Sequence, residues 1–230
     1  MLRGNSLIGF NGQGSLAIQA VFEGSTGSQT NLTTYTFSAF DIGSPDVDRM
    51  VVVCAVGWNA SIDISSITIG GDTAALTSRG ASANASSPTV GMAYLKVPSG
   101  NTADIVLTFT GTSLASRIMV YTFRKKGSGG QIAIAHSRGT ATTHTLTDLM
   151  TTNGGLVICV GGSSANTSVT SLTWNGPATS TTKGEGATEN KLRFSGSFVA
   201  EEYSTTNDYE CVFAISSNNI FLAVSYDASA

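Results

Sequence analysis

Charge is the scarcest ingredient of this chain. Its 230 residues include 12 Lys or Arg and 15 Asp or Glu, 12% charged in all, about half the usual share of roughly 25%. The net charge is −3, and the densest cationic run is Arg124-Lys125-Lys126. Nucleic-acid binding draws on several Lys or Arg gathered on one face, so no nucleic-acid partner is expected. Histidine is limited to His136 and His144, which thins out the mechanisms that need an imidazole. Cysteine is limited to Cys54, Cys159 and Cys211, and an odd number argues against a closed disulfide framework. No apolar run approaches the ~18 residues of a membrane span, and Met1–Phe10 lacks the unbroken apolar stretch of a secretion signal. The expectation is a soluble protein made in the cytoplasm, with no membrane partner and reduced thiols.

Glycine, at 26 residues, and a conspicuous share of Ser and Thr replace the missing charge. Short runs rich in Val, Ile, Thr, Tyr and Phe alternate with Gly, Asn, Ser and Pro. Period-two alternation is clear in Ile105-Val106-Leu107-Thr108-Phe109 and in Tyr35-Thr36-Phe37. The turns include Asp41–Pro45, Gly70-Gly71-Asp72 and Pro98-Ser99-Gly100-Asn101. No segment has a helical period. The pattern predicts an all-β chain of antiparallel sandwich type, jelly-roll or Ig-like. The uniform run Met50–Val56 reads as a strand covered on both faces.

The chain also matches itself. Val51-Val52-Val53-Cys54 aligns with Leu156-Val157-Ile158-Cys159 at an offset of 105 residues, and Ser66–Gly71 aligns with Ser171–Gly176 at the same offset. Thr34–Ser38 parallels Thr143–Thr147, Asp104 and Phe109 parallel Asp208 and Phe213, and Arg117–Phe123 parallels Ile220–Tyr226. Two tandem sandwich domains related by an internal repeat follow. The boundaries read as an N-terminal arm at 1–14, domain one at 15–126, a linker at 127–130 and domain two at 131–230. Predicted strands run Leu16–Glu23, Thr33–Phe40, Arg49–Trp58, Ser65–Gly70, Ala74–Ser78, Val90–Val97, Asp104–Thr110 and Arg117–Arg124 in the first copy. In the second they run Gln131–Ser137, Thr143–Leu149, Gly155–Gly161, Ser168–Trp174, Thr179–Lys183, Lys191–Glu201, Asp208–Ala214 and Ile220–Tyr226.

Chemistry-bearing residues do not assemble into a site. His136, His144 and Cys159 lack the close pairing of a zinc signature. No G-x-S-x-G elbow accompanies the many serines. Glu201 and Glu202 are strand neighbours and point to opposite faces. Asp41, Asp46 and Asp48 cluster in one segment, where Ca²⁺ is conceivable but Asp as a turn former is the preferred reading. Gly12-Gln13-Gly14-Ser15-Leu16-Ala17 mimics part of a dinucleotide fingerprint without the strand and helix it requires. Trp58 beside Asn84–Pro88 is the one candidate sugar-stacking platform; Trp58 and Trp174 are the only tryptophans. No catalytic, cofactor or metal residue is assigned, and the expectation is a non-enzyme without cofactor.

Thr33-Thr34-Tyr35-Thr36-Phe37, Asp41-Ile42-Gly43, Asp48-Arg49-Met50-Val51-Val52-Val53 and Ser65–Gly71 together resemble a family of β-rich proteins from tailed bacteriophages and prophages. The resemblance covers about Leu16–Lys126; the second copy lacks the Asp-Arg before its strand. It implies a virion component made in the host cytoplasm: a head decoration, or a neck, tail or fibre part. Partners would be other virion proteins and further copies of the chain. A receptor- or carbohydrate-binding module recognising a host surface glycan is the alternative, and a polysaccharide-degrading enzyme a third.

Overall fold

A computed structural model describes residues 18, 20–59, 61–79, 87–125, 131–152, 154–165, 169–174, 180–185, 193–199 and 204–227. They form seventeen strands and no helix. The first half contributes β1 (Val21–Ser28), β2 (Leu32–Asp41), β3 (Arg49–Trp58), β4 (Ile64–Ile69), β5 (Asp72–Thr73), β6 (Ala75–Arg79), β7 (Pro88–Lys96), β8 (Thr102–Ser113) and β9 (Ala115–Arg124). The second contributes β10 (Gln131–Gly139), β11 (Thr143–Thr151), β12 (Leu156–Ser163), β13 (Val169–Trp174), β14 (Ser180–Glu185), β15 (Arg193–Val199), β16 (Ser204–Phe213) and β17 (Asn219–Tyr226). The predicted arm at 1–14 and linker at 127–130 lie outside the described residues.

Every strand pair is antiparallel, in four sheets. The first half holds a sheet of order β1-β9-β3-β7-β6 and one of order β2-β8-β4-β5; the second holds β10-β17-β12-β15-β14 and β11-β16-β13. Apart from the two-residue β5, which has no counterpart among the described residues, replacing each strand of the first half by its counterpart reproduces the order of the second. Even the irregularities recur. β2 breaks register between Phe37 and Phe40 around Ala39, and β11 between Leu146 and Leu149 around Asp148. Ala39 (φ 49°) and Asp148 (φ 59°) both take the left-handed conformation that non-glycine residues rarely adopt, as expected of β-bulges.

Alternation assigns each side chain of the large sheets to one of two cores. On β3, Val51, Val53 and Ala55 meet Tyr35, Phe37, Ile67, Leu107 and Phe109 of the small sheet, which makes the first sandwich. Met50, Val52, Cys54, Val56 and Trp58 point the other way. They meet Leu156 and Ile158 of β12 and Leu222, Val224 and Tyr226 of β17. A third core, with Val157, Cys159, Cys211 and Phe213, fills the second sandwich. The molecule is therefore four layers thick, with the two five-stranded sheets packed face to face along a central apolar seam. This explains why all ten residues of β3 are buried.

Polar contacts fix how the halves lie across the seam. Tyr121 Oη on β9 is 2.7 Å from Ser195 Oγ on β15. Tyr226 Oη on β17 donates to Met92 Sδ on β7 at 3.4 Å. Thr77 Oγ1 on β6 donates to Gln131 Oε1 on β10 at 2.9 Å. The strand order of one sheet is thus reversed over the other, as an approximate twofold axis parallel to the strands produces. Three contacts close one pole: the Ile18 amide donates to Gly154 O (2.8 Å), Lys125 Nζ donates to Asp227 O (2.7 Å), and Phe123 lies 5.2 Å from Tyr226.

Two expectations need correction. The first strand begins at Val21, not Leu16, and runs on to Ser28 through Gly24, Gly27 and three hydroxyl residues. A backbone ladder with β9 holds this edge, so its side chains carry little alternation. The cysteines, moreover, are not equivalent. Val120 and Ala223 correspond on β9 and β17; the first pairs with Val53 and the second with Cys159. Val53, not Cys54, is therefore the counterpart of Cys159. A one-residue slip moves a strand's side chains to the opposite face, and Cys54 lies in the seam while Cys159 lies inside its own sandwich.

Candidate functional site

The conspicuous polar constellation surrounds Arg49, the first residue of β3. The residue is 2% exposed, and its guanidinium donates to five backbone carbonyls: Nε to Val97 (2.8 Å), Nη1 to Ile42 (3.1 Å) and Gly43 (2.7 Å), and Nη2 to Ser99 and Gly100 (2.8 Å each). Five donors is the full capacity of arginine. Two loops, 42–48 and 97–101, are thereby tied to one side chain. Burial lowers its pKa, opposed by Glu23, Asp46 and Asp41 in that order. Gly155, immediately before β12, holds the matching position in the second half, where a Cβ would sit 2.8 Å from Thr152 O and 2.9 Å from Tyr226 O. The clamp belongs to one half only.

The acidic cluster serves the same loop. Asp41 Oδ1 accepts from the Gly43 amide and Asp46 Oδ1 from the Asp48 amide, both at 2.8 Å. Asp46 pairs with Arg124 at 2.8 Å and Asp48 with Lys96 at 3.4 Å. The three carboxylates are used separately, as turn formers and ion-pair partners. Among the described residues no three His, Cys, Asp or Glu side chains gather as metal ligands.

The histidines part company. His136 lies on edge strand β10, whereas His144 is 2% exposed and edge-on to Phe213 at 5.5 Å. His144 Nε2 is 3.0 Å from Ala141 O, so it carries the proton and donates. Nδ1 then accepts from Ser137 Oγ at 3.0 Å. This is half of a nucleophile–base pair, but the group that orients the ring is a backbone carbonyl, not the carboxylate of a triad. Burial lowers the His144 pKa, partly offset by the Ala141 bond. The ring does here what Tyr35 does at the matching place in β2, where the hydroxyl donates to Thr30 O (2.7 Å) and Ser113 O (2.9 Å). Each side chain ties a loop to the sandwich.

Burial raises the pKa of all three thiols, with the Cys54 charge adding at Cys159 and the Cys159 charge at Cys211. They are protonated packing groups. Trp58 is fully buried in the seam and its backbone pairs with Pro88; it offers no ring face to a sugar. Residues 84–86, Glu201, Glu202 and the Gly12–Ala17 segment lie outside the described residues, and so does the Trp174 side chain. A shallow depression lined by Ala39, Gly70, Gly71, Thr102, Ala103, Asp104 and Val106 contains one ionisable group, and Asp104 Oδ1 already accepts from the Ala39 amide at 2.8 Å. Sequence reasoning singled out the histidines, cysteines and acidic loop but missed Arg49 as the organising residue. Its signal was the Asp48-Arg49 pair before a wholly apolar strand. Comparison with protein-family models, with curated proteins and with solved structures returns no match.

Proposed function

We propose that the chain is a non-enzymatic structural component of a tailed-bacteriophage virion, decorating the capsid or forming part of the neck, tail or fibres. The phage reading rests on the resemblance carried by Thr33–Phe37, Asp41–Gly43 and Asp48–Val53. The structural reading is supported by one observation above the others: each polar constellation built from described residues is spent on the fold. Arg49 ties loops, His144 ties a loop, the aspartates form turns and ion pairs, and the thiols are buried. A reactive centre needs groups held ready for a substrate. We also read the two halves as copies of one sandwich, on the shared strand order and the matched bulges at Ala39 and Asp148.

Immunogold labelling and cryo-electron microscopy of the native particle test this. Density in a regular array on the capsid, or in a ring at the neck or tail, is the expected result. Labelling confined to distal fibre tips would favour the glycan-binding alternative, and a glycan array would follow. A chain found in no particle would end the proposal.

A further inference from the structure

Each half closes its own sandwich core, and each of the four sheets is confined to one half. The seam is held by side chains: the central apolar cluster and the Tyr121–Ser195, Tyr226–Met92, Thr77–Gln131 and Lys125–Asp227 contacts. Between described residues a single backbone–backbone hydrogen bond spans the two halves, the 2.8 Å bond from the Ile18 amide to Gly154 O. Ile18 precedes the ladder of β1 with β9, which begins at Val21, yet it is 7% exposed and its side chain belongs to the seam core. Ala20 and Phe22 pack against the same core, as the alternation of an extended chain allows. The Phe22 ring lies 5.2 Å from that of Tyr121, the residue that reaches across to Ser195. Just beyond, register with β9 breaks between Phe22 and Gly24, and Gly24 takes φ 147°. This bulge sets the stretch apart from the edge strand that follows.

We propose that the stretch carrying Ile18, Ala20 and Phe22 is a strap that locks the seam, and that its release lets the two sandwiches part as intact bodies. Among the described residues it is the one piece of backbone hydrogen-bonded to both halves, through β9 at one end and Gly154 at the other. It leads into an edge strand, so freeing it disturbs no ladder deeper in either sandwich. Proteins open in contiguous cooperative units, and the seam is such a unit. Its faces separate along Met50, Val52, Cys54 and Val56 of β3, while Val51, Val53 and Ala55 stay in the core of the first sandwich. A load drawn on the chain ahead of Ile18 acts on the seam before it acts on either sandwich. The cysteines report which core has opened. Cys54 lies in the seam, Cys159 and Cys211 lie inside the second sandwich, and all three are fully buried in the closed molecule. Strap and seam are properties of the isolated chain, independent of the virion reading.

Thiol labelling of the native full chain in graded urea below its unfolding transition, resolved by site with mass spectrometry, gives the test. Reagent is kept low, so that each rate reports the population of the open form. An opening that exposes less surface depends less steeply on urea. Cys54 should therefore react with a shallower urea dependence than Cys159 and Cys211, which should share one steeper dependence. Two variants separate strap from sandwich. Ile18→Ala removes a contact that every opening breaks, so it should accelerate all three thiols, Cys54 included, by about tenfold or more. Val157→Ala weakens a core that seam opening leaves intact, so it should accelerate Cys159 and Cys211 and leave Cys54 as it was. One urea dependence for all three thiols, an Ile18→Ala variant with an unchanged Cys54 rate, or a Val157→Ala variant that accelerates all three alike would each overturn the proposal.

Discussion

Arg49 carries one charge and five N–H groups, and all five reach carbonyls of loops that have no sheet to pair with. Replacing it leaves those carbonyls without their donor, at about 1–3 kcal/mol for each that water cannot reach. Arg49→Ala should cost at least ~3 kcal/mol, read as a lowered urea midpoint. Arg49→Lys keeps the charge but lacks the planar fork, so it should recover less than half of that loss. His144 makes a prediction of its own. Its folded pKa lies below its unfolded one, so the unfolded state takes up the proton first as pH falls. Stability should therefore drop as pH falls below about 6.5, the ordinary histidine value, until the folded ring also protonates. Urea titrations between pH 8 and 5 would show this step, and His144→Tyr, which borrows the side chain of Tyr35, should remove it. The thiols should be silent towards a thiol reagent at pH 8 in the native protein and titrate as three groups once it is unfolded; early labelling of any one would contradict the burial of all three.

Elements were legible in the sequence wherever one face of a strand is buried and the other is not. β2, β8 and β11 alternate cleanly because they are the outer layers, with threonines to solvent and aromatic or aliphatic residues within. β3 reads as covered on both faces, but what covers its second face is another sheet 100 residues away, and no local pattern can name it. β1 was misplaced because an edge held by backbone bonds imposes little on its side chains. The cysteines misled because two apolar runs look alike at neighbouring offsets, and only a paired strand reveals which face each residue takes. The same limit hid the Arg49 clamp, since carbonyls have no letter in a sequence. At this scale the bulges are testable. Ala39 pays for its left-handed backbone, at about 1–2 kcal/mol, so Ala39→Gly should raise the melting temperature and Ala39→Val should lower it. Gly57 lets the sheets approach: a Cβ there would overlap the Phe109 ring, so Gly57→Ala should cost about 1–3 kcal/mol through overpacking.

The whole molecule is governed by its seam. Two sandwiches that share a core of this size should melt together, and calorimetry should give one transition with matching calorimetric and van't Hoff enthalpies. Two well-separated transitions would mean that the halves are stable alone and the seam is secondary. The Tyr121–Ser195 contact probes the same coupling at one point. Tyr121→Phe or Ser195→Ala alone should each cost about 1–3 kcal/mol by stranding the partner hydroxyl, and the double variant should cost less than the sum of the two.

The axis along the strands has a further effect on how the body can be handled. Residue 18, where the described chain enters, Lys125, where the first half ends, and Asp227, where the second ends, all gather at the pole closed by the Ile18–Gly154 and Lys125–Asp227 contacts. The β8–β9 hairpin at Leu114 and the β16–β17 turn at Ile215 emerge at the opposite one. A fluorescent protein or affinity handle joined directly at residue 18 or at Asp227 would therefore hang from a single side, and peptides grafted at Leu114 and Ile215 would be displayed together on the other, well clear of it.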